Sequence, residues 1–346
     1  MQAIECSERS NILLKKSIHC LLLVFSATSF LFPQLLVDER QHALVMAGID
    51  YTLRQEYDSA EIVFQVIIQE FPKHPVGYLY LAGMLQAKYN DYGDSFNEER
   101  YDSLLHSVES LSEPLVNNKS TSAFGYFYIG SALAFRSFTK SENGNLPSGI
   151  YYGLRAGKSL ERCLESDPNF TEAKNILGSF YYWRSKLAWL PFVPDRKEEG
   201  IKLIVESFSH PYEKHLASQN LMVIFTEEKR FADAEQYGLA MLAEYPDNRL
   251  FLWNLKTVYE QWNRTNKLKN IVERLLKSTV EAKTTNRYTE ADCRLKLAQL
   301  MIAANNRSEA AEELKKIIAL RNFIGKTKGD LKKKINRAEY LLTTLQ

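Results

Sequence analysis

The sequence has few cysteines, few glycines and prolines, and no excess of charge of one sign. Among its 346 residues are 4 cysteines, 15 glycines and 10 prolines, and 44 lysines and arginines stand against 42 aspartates and glutamates. The balanced charge provides no basic field for a phosphate backbone, so we expect no nucleic-acid partner. The scarcity of glycine and proline, the residues that interrupt helices, favours an all-helical chain.

The cysteines are too few to form a disulfide framework. Only Cys163 and Cys293 lie beyond the first 32 residues. Small secreted domains that depend on disulfides carry a much higher density of cysteine. The sequence therefore excludes a fold held together by disulfide bonds.

Motifs of catalysis and metal binding are also missing. The chain contains no glycine-rich phosphate loop, no Gly-x-Ser-x-Gly and no His-Glu-x-x-His. His210 and His215 come nearest to a metal motif, but zinc needs further ligands and no cysteine lies close by in sequence. We therefore expect a chain that is not an enzyme and that binds no metal or cofactor.

The N-terminal residues 1–32 differ in character from the rest. Lys15 and Lys16 precede an apolar run, and Ala27-Thr28-Ser29 fits the small-x-small pattern of a cleavage site. We expect a secretory signal peptide. The alternative is an uncleaved anchor, because the run extends to Leu36 and so approaches the ~20 residues that cross a bilayer. Export with few cysteines favours a periplasmic or outer-membrane-associated protein of a Gram-negative bacterium, with inner-membrane anchoring as the alternative.

From residue 41 onwards, apolar residues recur at helical spacing in pairs of segments. In the first pair Gly48 precedes Tyr51, Ala60 precedes Phe64, and Pro72 ends the second segment. Two helices that cross closely need a small residue at the crossing, and aromatic side chains fill the groove beside it. Corresponding positions follow at residues 83, 130, 178, 222, 256 and 298, at intervals of 34 to 48 residues.

This pattern resembles the tetratricopeptide-repeat family, of the exported bacterial type, over residues 41–320 in about seven degenerate repeats. The resemblance implies an all-α, right-handed superhelical solenoid of antiparallel helix pairs. A generic solenoid of helical hairpins is the alternative. Residues 329–346 combine apolar residues at helical spacing with lysines, and we expect them to form a C-terminal capping helix. Because repeats contact mainly their neighbours, the distant Cys163 and Cys293 should remain free thiols.

The resemblance also implies a binding surface. In this family the first helix of each pair lines a concave groove that holds the ligand. The family's ligand positions, carried onto this sequence, include Tyr80, Phe127, Asn175, Tyr182, Trp183 and Trp253. They form an aromatic and nearly uncharged set, whereas the neighbouring Tyr181 points about 100° away and is assigned to the hairpin core. The alternative is that these aromatic side chains pack against one another across the groove.

The fourth repeat contains an apolar interruption from Trp189 to Val193, here called the elbow. The pattern predicts that the preceding helix continues to Leu190, that Pro191 and Pro194 stop it, and that Asp195 caps the next helix. Exposed apolar patches are uncommon on monomers, so we expect the elbow to fold onto the insertion at residues 138–150. The alternatives are contact with a partner or with a membrane.

These features predict a non-enzymatic protein–protein interaction module, or scaffold, of the cell envelope. Its aromatic groove would take a peptide, a protein or an apolar ligand. The alternative is a membrane-anchored accessory subunit in the assembly or transport of envelope components. Such a subunit would contact the membrane through its N-terminus or through the elbow.

Overall fold

The computed structural model describes residues 39–94 and 96–345, and this part of the chain is all-helical, without strands. The predicted signal peptide or anchor lies outside the described residues. A short 3₁₀ helix, Ala319–Phe323, precedes the last of fifteen α-helices. The α-helices are α1 Glu39–Leu53, α2 Tyr57–Glu70, α3 Val76–Tyr92, α4 Glu98–Val116, α5 Ser122–Glu142, α6 Leu146–Ser166, α7 Thr171–Ser185, α8 Lys197–Ser207, α9 Lys214–Glu227, α10 Phe231–Glu244, α11 Arg249–Gln261, α12 Thr265–Glu281, α13 Arg287–Ala303, α14 Arg307–Ile318 and α15 Leu331–Leu345.

Five turns between consecutive helices share one backbone geometry. Each contains a single residue with a φ between 56° and 80°, in the left-handed region. The residue after it donates its N–H to the carbonyl five positions earlier, as Glu56 does to Tyr51 at 2.8 Å. This is the Schellman ending, which stops one helix and redirects the chain into the next. The left-handed residues are Gln55, Gly144, Lys229, Asn263 and Asn305.

Small residues lie where paired helices cross, as the sequence pattern predicts. A Cβ atom added to Gly178 of α7 would lie 2.5 Å from the carbonyl oxygen of Gly200 in α8. The two backbones therefore touch, and a larger residue would force them apart. Gly48 of α1 is equally restricted, because an added Cβ would lie 2.3 Å from the ring of Phe64 in α2. The helix pairs and the repeat pattern are thus confirmed.

The described chain divides into two compact units. Unit 1 comprises residues 39–52, 56–85 and 97–221, and in it α5 packs against α4 and α6, while α7 packs against α6 and α8. Unit 2 comprises residues 53–55, 86–94, 96 and 222–345, and in it α10 to α15 pack largely in chain order. Helices α3 and α9 contribute residues to both units. Packing between consecutive helices in each unit is the arrangement expected of a helical-repeat solenoid.

The predicted C-terminal capping helix is confirmed as α15. Leu331, Ile335 and Ala338 are buried on one side of it and join the core formed with α13 and α14. Lys334, on the same helix, forms an ion pair with Asp292 of α13. The apolar stripe with lysines around it therefore covers the last helix pair of unit 2.

The elbow departs from the sequence-based expectation in two ways. Helix α7 ends at Ser185 and not at Leu190. The Ser185 hydroxyl donates to the Tyr181 carbonyl at 2.8 Å and accepts the Arg196 N–H at 2.7 Å. The bond from Arg196 joins the end of α7 to the residue that directly precedes α8. The expected packing of the elbow onto residues 138–150 is also wrong for its tip, since Trp189 is 65% exposed and Phe192 is 99% exposed.

Both cysteines beyond the N-terminal segment are free thiols, as predicted, and both are buried. Burial raises the pKa of the Cys293 thiol to about 12. Burial likewise raises the pKa of Cys163. Since the thiolate is the reactive form, neither residue is a candidate nucleophile.

The helical phase of α10 can be tested by enlarging alanine. Ala234 is fully buried at a helix crossing, whereas Ala232, two residues earlier, is exposed. We expect Ala234→Leu to lower the free energy of unfolding by ~1–3 kcal/mol through overpacking. The matched control Ala232→Leu should change it far less. Denaturant unfolding monitored by circular dichroism measures both, and equal losses would show that this helix is rotated from its position here.

Candidate functional site

The residues predicted to line an open groove in unit 1 are buried. Tyr80 of α3, Phe127 of α5 and three residues of α7 have almost no accessible surface. Their side chains pack into the interior of the unit and do not line an accessible groove. The three α7 residues are Asn175, Tyr182 and Trp183.

The aromatic members of this set pack against rings from neighbouring helices. The Tyr80 ring stacks on Phe64 of α2, with ring centroids 5.7 Å apart. Phe127 lies 5.1 Å from Phe170, which directly precedes α7. Such ring pairs add to the free energy gained by burying their area. These contacts identify the aromatic residues as core of unit 1 rather than as an accessible surface.

Helix α7 is buried on almost all sides near its C-terminal end. The rings of Tyr182 and Trp183 meet edge to face at 4.9 Å. Tyr181 donates its hydroxyl to Glu161 at 2.9 Å, and the Arg196 guanidinium lies 3.4 Å from its ring centroid. Three consecutive aromatics point in directions about 100° apart, so their joint burial requires neighbours on every side.

Asn175 belongs to a polar cluster that the aromatic interior encloses. Its amide donates to Glu213 Oε2 at 2.8 Å, and its carbonyl oxygen accepts from the Asn220 amide at 2.9 Å. Glu172 and Tyr128 complete the group, here called the carboxyl cluster, because Glu172 lies close enough to raise the pKa of both Tyr128 and Glu213. Buried polar groups of this kind are normally satisfied by hydrogen bonds.

Hydrogen bonding within the carboxyl cluster is incomplete. Among the described residues, neither carboxyl oxygen of Glu172 has a hydrogen-bond partner, and Glu213 Oε1 and Tyr128 Oη have none either. Ser179 Oγ also has no hydrogen-bond partner among the described residues. Ser179 lies one helical turn from Asn175 and two turns from Glu172 along α7. An unsatisfied buried polar group costs about 1–3 kcal/mol, so several together call for a physical explanation.

The surroundings favour the protonated form of both carboxyl groups. Burial raises the pKa of Glu172 to about 8, and the nearby Asp167 adds to the rise. Burial also raises the pKa of Glu213 well above its ordinary value, and the hydrogen bond from Asn175 only partly opposes it. Two neighbouring carboxyls disfavour each other's ionisation in the same way.

Four residues of the carboxyl cluster were not predicted from the sequence: Glu172, Glu213, Asn220 and Tyr128. Glu172 could have been found, because it precedes Asn175 by one helical turn on the predicted inner face of α7. Glu213 lies before the start of α9, where helical spacing gives no guidance. The remaining predicted residue, Trp253, belongs to unit 2, where it is partly buried and the Lys256 ammonium lies 4.6 Å from its ring centroid.

Metal binding has no support in the part of the chain that the structure describes. No group of three or more histidines, cysteines, aspartates or glutamates there is arranged to hold a metal ion. The two carboxyls of the carboxyl cluster are accompanied by amide and phenol groups instead. Such a donor set suits hydrogen bonding rather than tight coordination of a transition metal.

Comparison with known proteins identifies the fold. No protein-family model and no curated protein matches the chain. The crystal structure of the APC/C hetero-tetramer Cut9–Hcn1 matches 87% of this chain and 49% of its own, with a TM-score of 0.54 and 13% sequence identity. The present chain thus spans about half the length of that neighbour.

Two further solved structures have TM-scores of 0.39. One is PilW, a widely conserved type IV pilus biogenesis factor, at 14% identity over 82% of this chain and 94% of that one. The other is a tetratricopeptide repeat protein from Parabacteroides merdae ATCC 43184, at 13% identity over 87% and 100%. Of the three, the Cut9–Hcn1 likeness is the one close enough to establish a shared fold, and it confirms the expected tetratricopeptide-like helical repeat.

Proposed function

We propose that this chain, which has the fold of the tetratricopeptide-repeat proteins, is a non-enzymatic protein–protein interaction module of the cell envelope. The observation that carries the proposal is the exposed elbow, where Trp189, Leu190 and Phe192 face solvent. Since the aromatic residues first assigned to a groove are buried, the elbow replaces them as the contact surface. Its partner is a protein or peptide with an apolar recess for aromatic side chains.

The backbone of the elbow supports a functional role for Phe192. The Val193 N–H donates to the Leu190 carbonyl at 3.3 Å, with Pro191 and Phe192 between them and a φ of 71° at Phe192. This is the pattern of a type II turn, in which glycine or asparagine normally occupies the position with positive φ. A bulky residue there costs on the order of 1–3 kcal/mol, and such strain is concentrated at functional sites.

The charges around the elbow favour a protein partner over a lipid surface. Arg196 pairs with Glu199 at 2.5 Å and with Glu161 at 3.2 Å, and Lys197 lies 3.7 Å from Glu198. Two basic side chains that follow the tip, Arg196 and Lys197, therefore lie beside acids, whereas anionic membranes attract clusters of basic residues without acidic partners. Among the described residues, no helix has the length and apolar character needed to span a membrane.

The elbow can be tested with two matched double variants of the full chain. A photo-crosslinking residue at Leu190 should capture one protein in the source cells. Replacing Trp189 and Phe192 by serine should lower that capture at least tenfold, because both apolar anchors are lost. The control replaces Ile62 and Leu154, which are 63% and 50% exposed elsewhere in unit 1, and should leave capture unchanged.

Two outcomes would contradict the proposal. Equal capture by the elbow variant and the control would remove the elbow from the interface. Co-sedimentation with anionic lipid vesicles that depends on Trp189 and Phe192, without a protein crosslink, would favour membrane contact.

The envelope assignment is tested separately by sequencing the mature N-terminus. A start near residue 30 supports an exported module, and an intact Met1 in the membrane fraction supports the anchored accessory subunit.

A further inference from the structure

The carboxyl cluster gathers more hydrogen-bond acceptors than the described residues can satisfy. Glu213 uses one oxygen to accept from Asn175, which leaves Oε1 without a partner. Both carboxyl oxygens of Glu172 also lack a hydrogen-bond partner among the described residues, and so does the hydroxyl of Tyr128. All of these side chains are fully buried, so bulk water does not compensate them. Native interiors rarely leave so many polar atoms unpaired in one place.

The cluster also lacks a positive charge. In the described part of the chain, no lysine, arginine or histidine lowers the pKa of Glu172 or Glu213, so neither carboxyl has a cationic neighbour there. Buried carboxyls in folded proteins are ordinarily paired with a cation or a metal. A group that donates several hydrogen bonds and carries a positive charge would pair these oxygens and stabilise the ionised carboxyls.

We propose that the carboxyl cluster is a binding site for an organic cation, namely an ammonium or guanidinium group, held between Glu172 and Glu213. An ammonium group offers three N–H donors and a guanidinium group offers five, which matches the three free carboxyl oxygens. Tyr128 lies close enough to Glu172 for the two to influence each other's ionisation. The Asn220–Asn175–Glu213 chain of hydrogen bonds fixes the second carboxyl in place.

Binding of the cation is coupled to proton release. In the unliganded protein, burial keeps the pKa of Glu172 near 8, so its carboxyl is neutral at pH 7. The carboxyl gives its proton to solvent when the cation takes over its stabilisation. Because the raised pKa favours the protonated, unliganded state, affinity should increase as the pH rises towards 8. Each released proton changes the dissociation constant by about tenfold per pH unit below the pKa.

Other titratable groups lie close enough to Glu172 and Glu213 to interact with their carboxyls electrostatically. None of them carries a positive charge that would already neutralise the cluster. Because His74 contacts the Tyr128 ring and burial lowers its pKa to about 4, it is neutral over the pH range of binding. The groups facing the two carboxyls are Tyr80, Tyr128, Cys163 and Asp167.

Two sources could supply the cationic group, a free small amine or a basic side chain of a peptide. The probes n-propylammonium chloride and the peptide acetyl-Ala-Lys-Ala-amide separate them. Tetramethylammonium chloride and acetyl-Ala-Gln-Ala-amide are the matched controls, because the first lacks N–H donors and the second lacks the charge. Since the site is enclosed, it must open before a ligand binds, and association should be slower than for an open groove.

The test is calorimetric titration of the full chain at pH 8.0 and pH 6.5, together with its melting temperature. We expect at least one N–H cation to bind, to raise the melting temperature, and to bind at least tenfold more weakly at pH 6.5. Titration in buffers of different ionisation enthalpy should show protons released. Tetramethylammonium and the glutamine peptide should not bind.

Single substitutions test whether the cations bind at the carboxyl cluster. Glu172→Gln and Glu213→Gln keep the size of each side chain and should each weaken binding at least tenfold, while circular dichroism shows an unchanged fold. Glu165→Gln, at an exposed position of α6, is the control and should bind as the unmodified chain does. The proposal is overturned if neither cation binds at pH 8.0. It is equally overturned if binding survives both cluster variants or releases no protons.

Discussion

Replacing Tyr182 and Trp183 together by alanine is expected to unfold unit 1. Both side chains are among the largest fully buried ones, and their rings touch. Truncating a buried aromatic costs ~3–5 kcal/mol. A domain of this kind is stabilised by only about 5–15 kcal/mol, so two such losses remove most or all of that margin. Circular dichroism and thermal unfolding measure the effect.

The elbow supplies a matched control that also removes two aromatic rings. This pair also consists of one tryptophan and one other aromatic residue, but Trp189 and Phe192 are both largely exposed. Replacing them by alanine should lower the free energy of unfolding by no more than about 1 kcal/mol, because little burial is lost and the smaller side chain relieves part of the strain at Phe192. The placement of α7 in the core would be refuted if the Tyr182 and Trp183 variant kept its helix content and melting temperature while the elbow variant lost them.

The contrast between these pairs shows what the sequence could establish about α7. The period of small and aromatic residues correctly identifies Gly178 and its contact with Gly200. It assigns Tyr182 and Trp183 to the side opposite that contact, which in an open solenoid would face a groove. Periodicity describes one helix and its partner, however, and does not reveal whether more distant helices cover the remaining side.

Unit 1 contains contacts between residues that lie far apart in the sequence. The Tyr212 ring packs edge to face on His42 of α1 at 5.1 Å, although 170 residues separate them. A pattern of local spacing does not predict which residues this far apart will meet. The same limitation explains why Glu213 was missed, since its partner Asn175 lies 38 residues away in the chain.

The exposure of the elbow was equally hard to derive from sequence. An apolar run between prolines is normally expected to be buried, because it gains free energy by leaving water. Here Pro191 and the hydrogen bonds of Ser185 fix a turn that points Phe192 outward. Local backbone geometry thus prevails over the apolar character of the side chains. That is the reason the elbow, rather than the predicted groove, carries the proposed function.

Removing the carboxylate of Asp91 is expected to destabilise unit 2 by about 3–5 kcal/mol. Asp91 binds Arg249 through two bonds, Nε to Oδ1 at 2.6 Å and Nη2 to Oδ2 at 2.5 Å, and both side chains are nearly buried. Arg249 also donates to the Ser278 carbonyl at 3.1 Å. The Asp91 carbonyl in turn accepts from Asn286 at 3.0 Å, so the pair joins four segments of unit 2.

The variant Asp91→Ala removes the carboxylate that accepts two hydrogen bonds from the buried guanidinium of Arg249, which is the physical reason for the large loss. Denaturant unfolding followed by circular dichroism measures the loss of stability.

The control Asp233→Ala removes the acid of an exposed pair, since Arg230 and Asp233 are both about half exposed, and should cost at most about 1 kcal/mol. Replacing Asp91 and Arg249 together by leucine and methionine should recover part of the loss, because no unpaired charge then remains. Equal losses for Asp91→Ala and Asp233→Ala would mean that Asp91 and Arg249 are hydrated in solution, and the network would then contribute little to the stability of unit 2.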